Sequence, residues 1–353
     1  MNFSNKKILF PIFIGFVIIS GFAVILLLNQ PRNSTFEWRI STPEKQGFNS
    51  VILQNMTEFI QREDINLHSC LIIRNDVLVF EQYYFVYDKT RKHEIWSCTK
   101  SVTSSLIGIA IDKGYLNIDD IVINLFPNKT YANIDGRKQR MTVEHLLTMT
   151  SGLEWAGDTE YVSMYPLSDW IQYVLDKPMV AEPGKVFNYH TGGSHVLAAI
   201  LETVTGNKTI DFANEYLFGP LGIDSGSISW TVDNNGIARG GSGLFMTPRD
   251  MARFGLLFLH DGLWNGKQLI SSNWVLESTR GHFNDFYGYQ WWIYPSIDID
   301  GHVIKNSFAA RGYLEQMIYV MPDFDLVVVF TSNIVGGFRP DDLMNDFILP
   351  ALL

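Results

Sequence analysis

The sequence predicts an α+β fold: one antiparallel sheet assembled from both ends of the chain, flanked by helices, with a mostly helical region inserted. Three observations carry that expectation. Near the amino end, Cys70–Arg74 and Val77–Tyr84 are β-rich runs on either side of Asn75-Asp76. Near the carboxyl end, Tyr287–Ile293, Gln316–Met321 and Leu326–Thr331 are further runs of the same kind. Between them, from about 97 to 269, spacing and stop signals are those of helices. Strands at both ends with helices between do not read as two consecutive domains, and no long internal repeat is present.

Composition bounds the class. The 353 residues are 46% hydrophobic, 14% aromatic and 18% charged, a globular, enzyme-like profile. Net charge of −10 argues against nucleic-acid binding, which needs clustered Lys and Arg. Two cysteines, Cys70 and Cys98, exclude a disulfide scaffold, and a bridge between them is not expected.

Taken in order, the elements begin with Ile8 to Leu28, an apolar run of 21 residues behind Lys6 and Lys7. At 1.5 Å per residue it spans about 31 Å, the thickness of a bilayer core. The expectation is an uncleaved anchor within residues 1–35, with residues 36–353 outside the cytoplasm; the rival is a cleaved signal peptide and a secreted domain. Within 36–353, the sheet region is expected at about 36–96 and 270–353, and the helical region at about 97–269. Asn49 or Ser50 caps a helix running to about Arg62. Asn75-Asp76 turns a hairpin. Helices follow at 97–113 (stopped by Gly114), 142–149, 168–176, 194–204 (stopped by Gly206) and 248–261. Thr247-Pro248-Arg249-Asp250 starts the last with a hydroxyl cap, a first-position proline and an early acid. Pro322-Asp323-Phe324-Asp325 turns the last two strands, and Asp341–Ile348 closes the chain as a helix.

The chemistry is concentrated in Ser97-Cys98-Thr99-Lys100. Residues at i and i+3 share a helix face, so an amine can lean back on a hydroxyl one turn away. A serine hydroxyl needs a nearby base to become a nucleophile, and a lysine serves only when its surroundings favour the neutral amine. Spacing alone is weak: Ser4-Asn5-Lys6-Lys7 fits the same S-x-x-K, and an ordinary polar helix start fits Ser97 as well.

The surroundings add specificity. After Ser101-Val102-Thr103-Ser104-Ser105 come Thr142-Val143-Glu144-His145-Leu146-Leu147, Ser151-Gly152-Leu153 and Glu182-Pro183-Gly184. Phe187-Asn188-Tyr189, Gly240-Gly241-Ser242-Gly243-Leu244 and Leu326-Val327-Val328-Val329 follow. In this order and spacing, they resemble the serine hydrolases related to class C β-lactamases and low-molecular-weight penicillin-binding proteins over most of residues 40–350. Tyr189-His190-Thr191-Gly192-Gly193-Ser194-His195 is similar to the esterase and 6-aminohexanoate-dimer-hydrolase-like branch.

The resemblance implies a β-lactamase/transpeptidase-like fold and an acyl-serine mechanism on an ester or amide of a small molecule or peptide. It implies Ser97 as nucleophile, Lys100 and Tyr189 as proton carriers, and the Ser97 and Tyr313 N–H groups as the oxyanion hole. Thr191, Arg311, Gly312 and His190 are the implied substrate-binding residues. No metal and no organic cofactor are implied, and His190 and His195, five apart, are wrongly spaced to chelate from one helix face. Two departures qualify it. Where the family has Y-x-N this chain has Tyr189-His190-Thr191, and threonine cannot offer both amide groups of asparagine. The third motif, on an expected edge strand, is Ala310-Arg311-Gly312 without a basic first residue, and Leu314-Glu315 stand where relatives carry two glycines. Arg311 could meet a substrate carboxylate or simply be solvated. Asn188 and Trp155 are weaker cleft candidates; Tyr287, Tyr289, Trp291 and Trp292 wall either a pocket or the core.

Three readings follow: a serine esterase or amidase; a D,D-peptidase or β-lactamase acting on peptidoglycan or β-lactams; or an inactive ligand-binding scaffold. No G-x-S-x-G elbow, Walker loop, G-x-G-x-x-G or H-E-x-x-H occurs, so α/β-hydrolase, nucleotide and zinc-protease chemistry are not indicated.

Overall fold

The computed structural model describes residues 36–299 and 302–352, and Glu37–Leu353 forms one compact unit. The expected anchor at Ile8–Leu28 lies outside the described residues. Among those described, no helix is long and apolar enough to cross a membrane.

Six strands make the main sheet: β1 Leu67–Arg74, β2 Val77–Tyr83, β3 Trp292–Ile299, β4 His302–Gly312, β5 Gln316–Met321 and β6 Leu326–Ser332. Their order is β2-β1-β6-β5-β4-β3, and every pairing is antiparallel. The carboxyl-terminal strand β6 therefore sits beside the amino-terminal β1, joining the two ends of the domain as expected. Asn75 and Asp76 turn the first hairpin with φ of 49° and 61°, left-handed values that suit short polar side chains.

The helices are α1 Ser50–Arg62, α2 Cys98–Asp112, α3 Val143–Leu147, α4 Asp158–Ser163, α5 Trp170–Leu175, α6 Thr191–Thr205, α7 Thr209–Ala213, α8 Pro248–Leu259, α9 Ser272–Ser278 and α10 Pro340–Leu343. Asn49 caps α1 by accepting from the Val51 N–H, and Thr247 caps α8 by accepting from that of Asp250. Behind α10 the chain stays helical through Met344–Ile348 and Leu349–Leu352.

Alternation along the strands sorts the core into two layers. Cys70, Ile72, Val328, Phe330, Met317 and Tyr319 pack with Leu53, Met56 and Ile60 of α1 and with Leu343, Met344 and Ile348 of the closing helices. The other face meets α8, where a Cβ on Gly255 would lie 2.7 Å from Val327 Cγ1 and 2.9 Å from Ile318 Cγ2. Helix α2 is buried on every side from Cys98 to Ala110, as a central helix is. Its hydroxyls tie it down: Ser101 donates to the Gln290 carbonyl at 2.7 Å and Thr103 to the Gly240 carbonyl at 2.8 Å.

Three expectations are corrected. The strand expected at Tyr287–Ile293 starts only at Trp292, because Gln290 takes a left-handed φ of 64° and spends its amide on the Leu146 and Leu147 carbonyls. The helical region also contains two short strands, Ser229–Trp230 and Leu244–Met246, which form a small sheet with His93–Glu94 from just before it and are too short to leave a period. Finally, Ala310-Arg311-Gly312 lies on β4, second from the edge. Its partner β3 pairs only as far as Trp292↔Ala309, so these last three residues run past it.

Candidate active site

Ser97 occupies the N-cap of α2, yet its hydroxyl makes no capping bond. Lys100 Nζ lies 2.8 Å from Ser97 Oγ instead. The lysine is 1% exposed, and its second contact, 2.9 Å to the Gly241 carbonyl, fixes the amine between helix and loop. Only glycine fits there: a Cβ on Gly241 would come within 2.6 Å of Thr191 Cγ2 and 2.9 Å of the Thr191 carbonyl. Just before Ser97, Trp96 is held at φ 47°. A left-handed tryptophan costs about 1–2 kcal/mol, strain of the kind that persists where surroundings over-determine it.

Tyr189 enters from a loop pinned on both sides by one residue. The Asn188 N–H donates to the Met149 carbonyl at 2.8 Å, and the His190 N–H to Met149 Sδ at 3.2 Å. The tyrosine ring centroid then lies 4.8 Å from Lys100 Nζ, with the Trp292 ring stacked at 5.7 Å. Ser97 and Lys100, from the start of α2, thus meet Tyr189, from a loop about ninety residues further along the chain. Thr191, the first residue of α6, faces the same cleft.

Gly312 closes the site from the sheet. A Cβ there would meet the Ile95 carbonyl at 2.4 Å and Trp96 Cβ at 3.2 Å, so only glycine lets β4 approach the start of α2 so closely. Tyr313 follows, its ring edge-on to Trp96 at 5.3 Å. The cleft between these elements encloses about 720 Å³. Its wall is aromatic: Trp96, Tyr161, Tyr165, Tyr189, Trp292 and Tyr313, with Thr159 and Val162 alongside. Tyr161 is fixed by a 2.6 Å hydrogen bond with Ser242. Beneath the 240–243 loop, Glu94 accepts from the Gly243 N–H at 3.1 Å, and burial raises its carboxyl pKa.

Two implied substrate-binding residues are placed otherwise. His190 is 1% exposed; its Nδ1 accepts from the Gly193 N–H at 2.9 Å as the cap of α6, and its ring stacks on Trp155 at 4.1 Å. Burial pushes its pKa down to about 3, so it caps as a neutral imidazole. Arg311 touches the cleft rim, but it is paired across from Met317 and so shares the α1 face of the sheet. Its guanidinium donates to Tyr294 Oη and Asp341 Oδ2, each at 2.7 Å. Burial works to lower its pKa, but Tyr294, Tyr319 and Asp341 raise it on balance. Its guanidinium is thus paired with Asp341 rather than free in solvent, while the side chain still touches the cleft rim.

The weaker candidates divide as well. Asn188 donates to the Trp155 carbonyl at 3.2 Å, and the pair buttresses α6. Tyr287, Tyr289 and Trp291 are core, while Trp292 walls the cleft. Cys70 and Cys98 are free and buried. Leu314 and Glu315 do not line the cleft. Gly241, Trp96 and the 159–165 wall were missed as site residues; the Gly240-Gly241-Ser242-Gly243 run was the one signal that could have found the first.

A β-lactamase family model matches residues 54–353. The chain belongs to the β-lactamase family. Among curated relatives, the 6-aminohexanoate-dimer hydrolase of Paenarthrobacter ureafaciens is 24% identical over 289 residues, covering 74% of this chain and 71% of that protein. An uncharacterised protein of Alkalihalophilus pseudofirmus is 23% identical, covering 82% of this chain and 90% of its own. Of solved β-lactamase-fold structures, the octameric penicillin-binding protein homologue from Pyrococcus abyssi superposes with a TM-score of 0.67 at 20% identity, over 86% of this chain and 77% of that one. EstCE1, described as a hydrolase with promiscuous acyltransferase activity, also gives 0.67, at 16% identity over 86% and 98%. These structural likenesses establish the fold.

Proposed function

We propose that this protein is a serine hydrolase that cleaves an ester or amide of a small molecule or peptide through an acyl-serine intermediate. The observation that carries the reading is the 2.8 Å approach of Lys100 Nζ to a Ser97 hydroxyl that does not cap its helix. Lys100, as the uncharged amine, accepts the proton as Ser97 Oγ attacks the carbonyl carbon. The tetrahedral oxygen is held by the Ser97 and Tyr313 N–H groups, and such paired donors are worth several kcal/mol of barrier. Lys100 and Tyr189 relay the proton to the leaving group, whose bond to the acyl carbon then breaks. Water repeats the sequence on the acyl-enzyme, releasing the acid and restoring the serine.

An ester or simple amide fits better than a β-lactam. Thr191 takes the place of the family's asparagine, and Arg311 sends its charge to the far side of the sheet. A blocked, inactive scaffold is disfavoured by a cleft of about 720 Å³ with Leu314 and Glu315 outside its lining. The test is hydrolysis of activated esters together with fluorophosphonate labelling, on the wild type and Ser97→Ala. Both signals should vanish in the variant; equal signals from the two proteins would end the proposal.

A further inference from the structure

The turn that carries the second oxyanion donor is built from residues that resist its shape. Between Gly312 at the end of β4 and Gln316 at the start of β5, Leu314 stands at φ 59°, ψ 24° and Glu315 at φ 66°. Each costs about 1–2 kcal/mol, and neither carries the short polar side chain with which Asn or Asp offsets that cost. Left to itself, this turn would populate other conformations, and the N–H of Tyr313 would move with it.

Two buried side chains hold it. Ser332, at the end of β6 and 2% exposed, donates its hydroxyl to the carbonyl of Leu314 and shares it with that of Glu315 at 3.1 Å. Gln316, 1% exposed, donates Nε2 to the Leu314 carbonyl at 3.1 Å and to the Ser332 carbonyl at 2.6 Å. Its Oε1 accepts from the Ser332 N–H at 3.2 Å, so the carboxamide bonds through both ends. The same residue reaches the nucleophile's neighbour, for the Gln316 carbonyl accepts from Cys98 Sγ at 3.3 Å. One buried cluster therefore ties the turn to β6 and to the start of α2.

We propose that Gln316 and Ser332 are positioning residues: they clamp the strained 313–315 turn so that the Tyr313 N–H points at the developing oxyanion. The inference rests on the acyl-serine reading. Donors aimed at the tetrahedral oxygen act on the transition state, so a loosened clamp lowers kcat and leaves KM nearly unchanged. A residue that merely stabilises the hairpin would lower the melting temperature without that split.

The experiment compares the full chain with Ser332→Ala, Ser332→Thr and Gln316→Met, using 4-nitrophenyl butyrate for kcat and KM and phenylboronic acid as a tetrahedral adduct. Ser332→Ala and Gln316→Met should lose about 10-fold or more in kcat with KM within about twofold. Boronate affinity should fall in step, and Ser332→Thr, which keeps the hydroxyl, should retain most of the rate. In a Leu314→Gly/Glu315→Gly background the same Ser332→Ala change should cost less than about threefold, since glycine adopts the turn without strain. A kcat within twofold of wild type in well-folded Ser332→Ala and Gln316→Met, a rise in KM alone, or an equal loss in both backgrounds would overturn the clamp. Wild-type protein without Ser97-dependent hydrolysis would instead defeat the hydrolase reading itself.

Discussion

In the proposed mechanism Lys100 and Tyr189 have different parts beside Ser97, and single substitutions separate them. Lys100 is in direct contact with the hydroxyl, so Lys100→Met should lower kcat by about three orders of magnitude or more, close to the loss from Ser97→Ala. Tyr189→Phe keeps the ring against Trp292 and removes only the phenol, and should lower kcat by about 10²-fold with KM little changed. Steady-state kinetics on both variants checks this, and a Lys100→Met enzyme with near-wild-type kcat would remove the base. At this scale the sequence foretold that Ser97, Lys100, Tyr189 and Gly312 would be neighbours, because their motifs are ordered along the chain. It did not foretell the contacts that hold His190 and Arg311. Whether a loop imidazole turns to the cleft or back onto a helix start is decided by Trp155, far away in sequence. Which face of a sheet Arg311 occupies is decided by strand register opposite Met317, which no local motif encodes.

Elements with strong punctuation were legible: α1 from Asn49, α8 from Thr247-Pro248, the 75–76 hairpin and the 322–325 turn. Strand β4 was not recognised along its length, because Lys305, Asn306 and Ser307 interrupt the apolar alternation a strand is read from. Nor did sequence foretell Lys138, whose buried amine donates to the carbonyls of Ala132, Leu175 and Lys177 and anchors a loop that has no period. Another pairing between elements carries a pH prediction. His68 on β1 and His93 meet at 3.1 Å between ring nitrogens, with Tyr87 stacked on His68 at 3.7 Å. Burial lowers both pKa values to about 4, helped by Arg91, and for His68 also by His93. In the unfolded chain both would titrate near 6.5, so between about pH 6.5 and 4 the unfolded state binds more protons. Their contribution is complete above pH 6.5 and is lost as pH falls toward 4. Thermal melts at pH 7 and 4.5 should show a smaller acid-induced drop in His93→Gln than in wild type; identical drops would contradict this linkage.

At the scale of the whole molecule, the sheet joins β1 to β6, so neither end of the domain holds its core alone. The sequence revealed that arrangement because both ends carry strand-forming runs and the middle does not. Its helical region was drawn too uniformly, since two-residue strands such as Ser229–Trp230 have no sequence signature. Because Glu37–Leu353 is one compact unit, a fragment starting at residue 37 should melt cooperatively and keep kcat within about twofold of the full chain. Measuring both on the purified fragment checks the domain boundary, and an unfolded or inactive fragment would move it. The central claim is that a single hydroxyl, beside a buried amine, is acylated. Mass mapping of the fluorophosphonate-treated protein tests it most directly. One adduct on Ser97, abolished by Lys100→Met, is the predicted result. An adduct on another residue, or no labelling of the folded wild type, would contradict it.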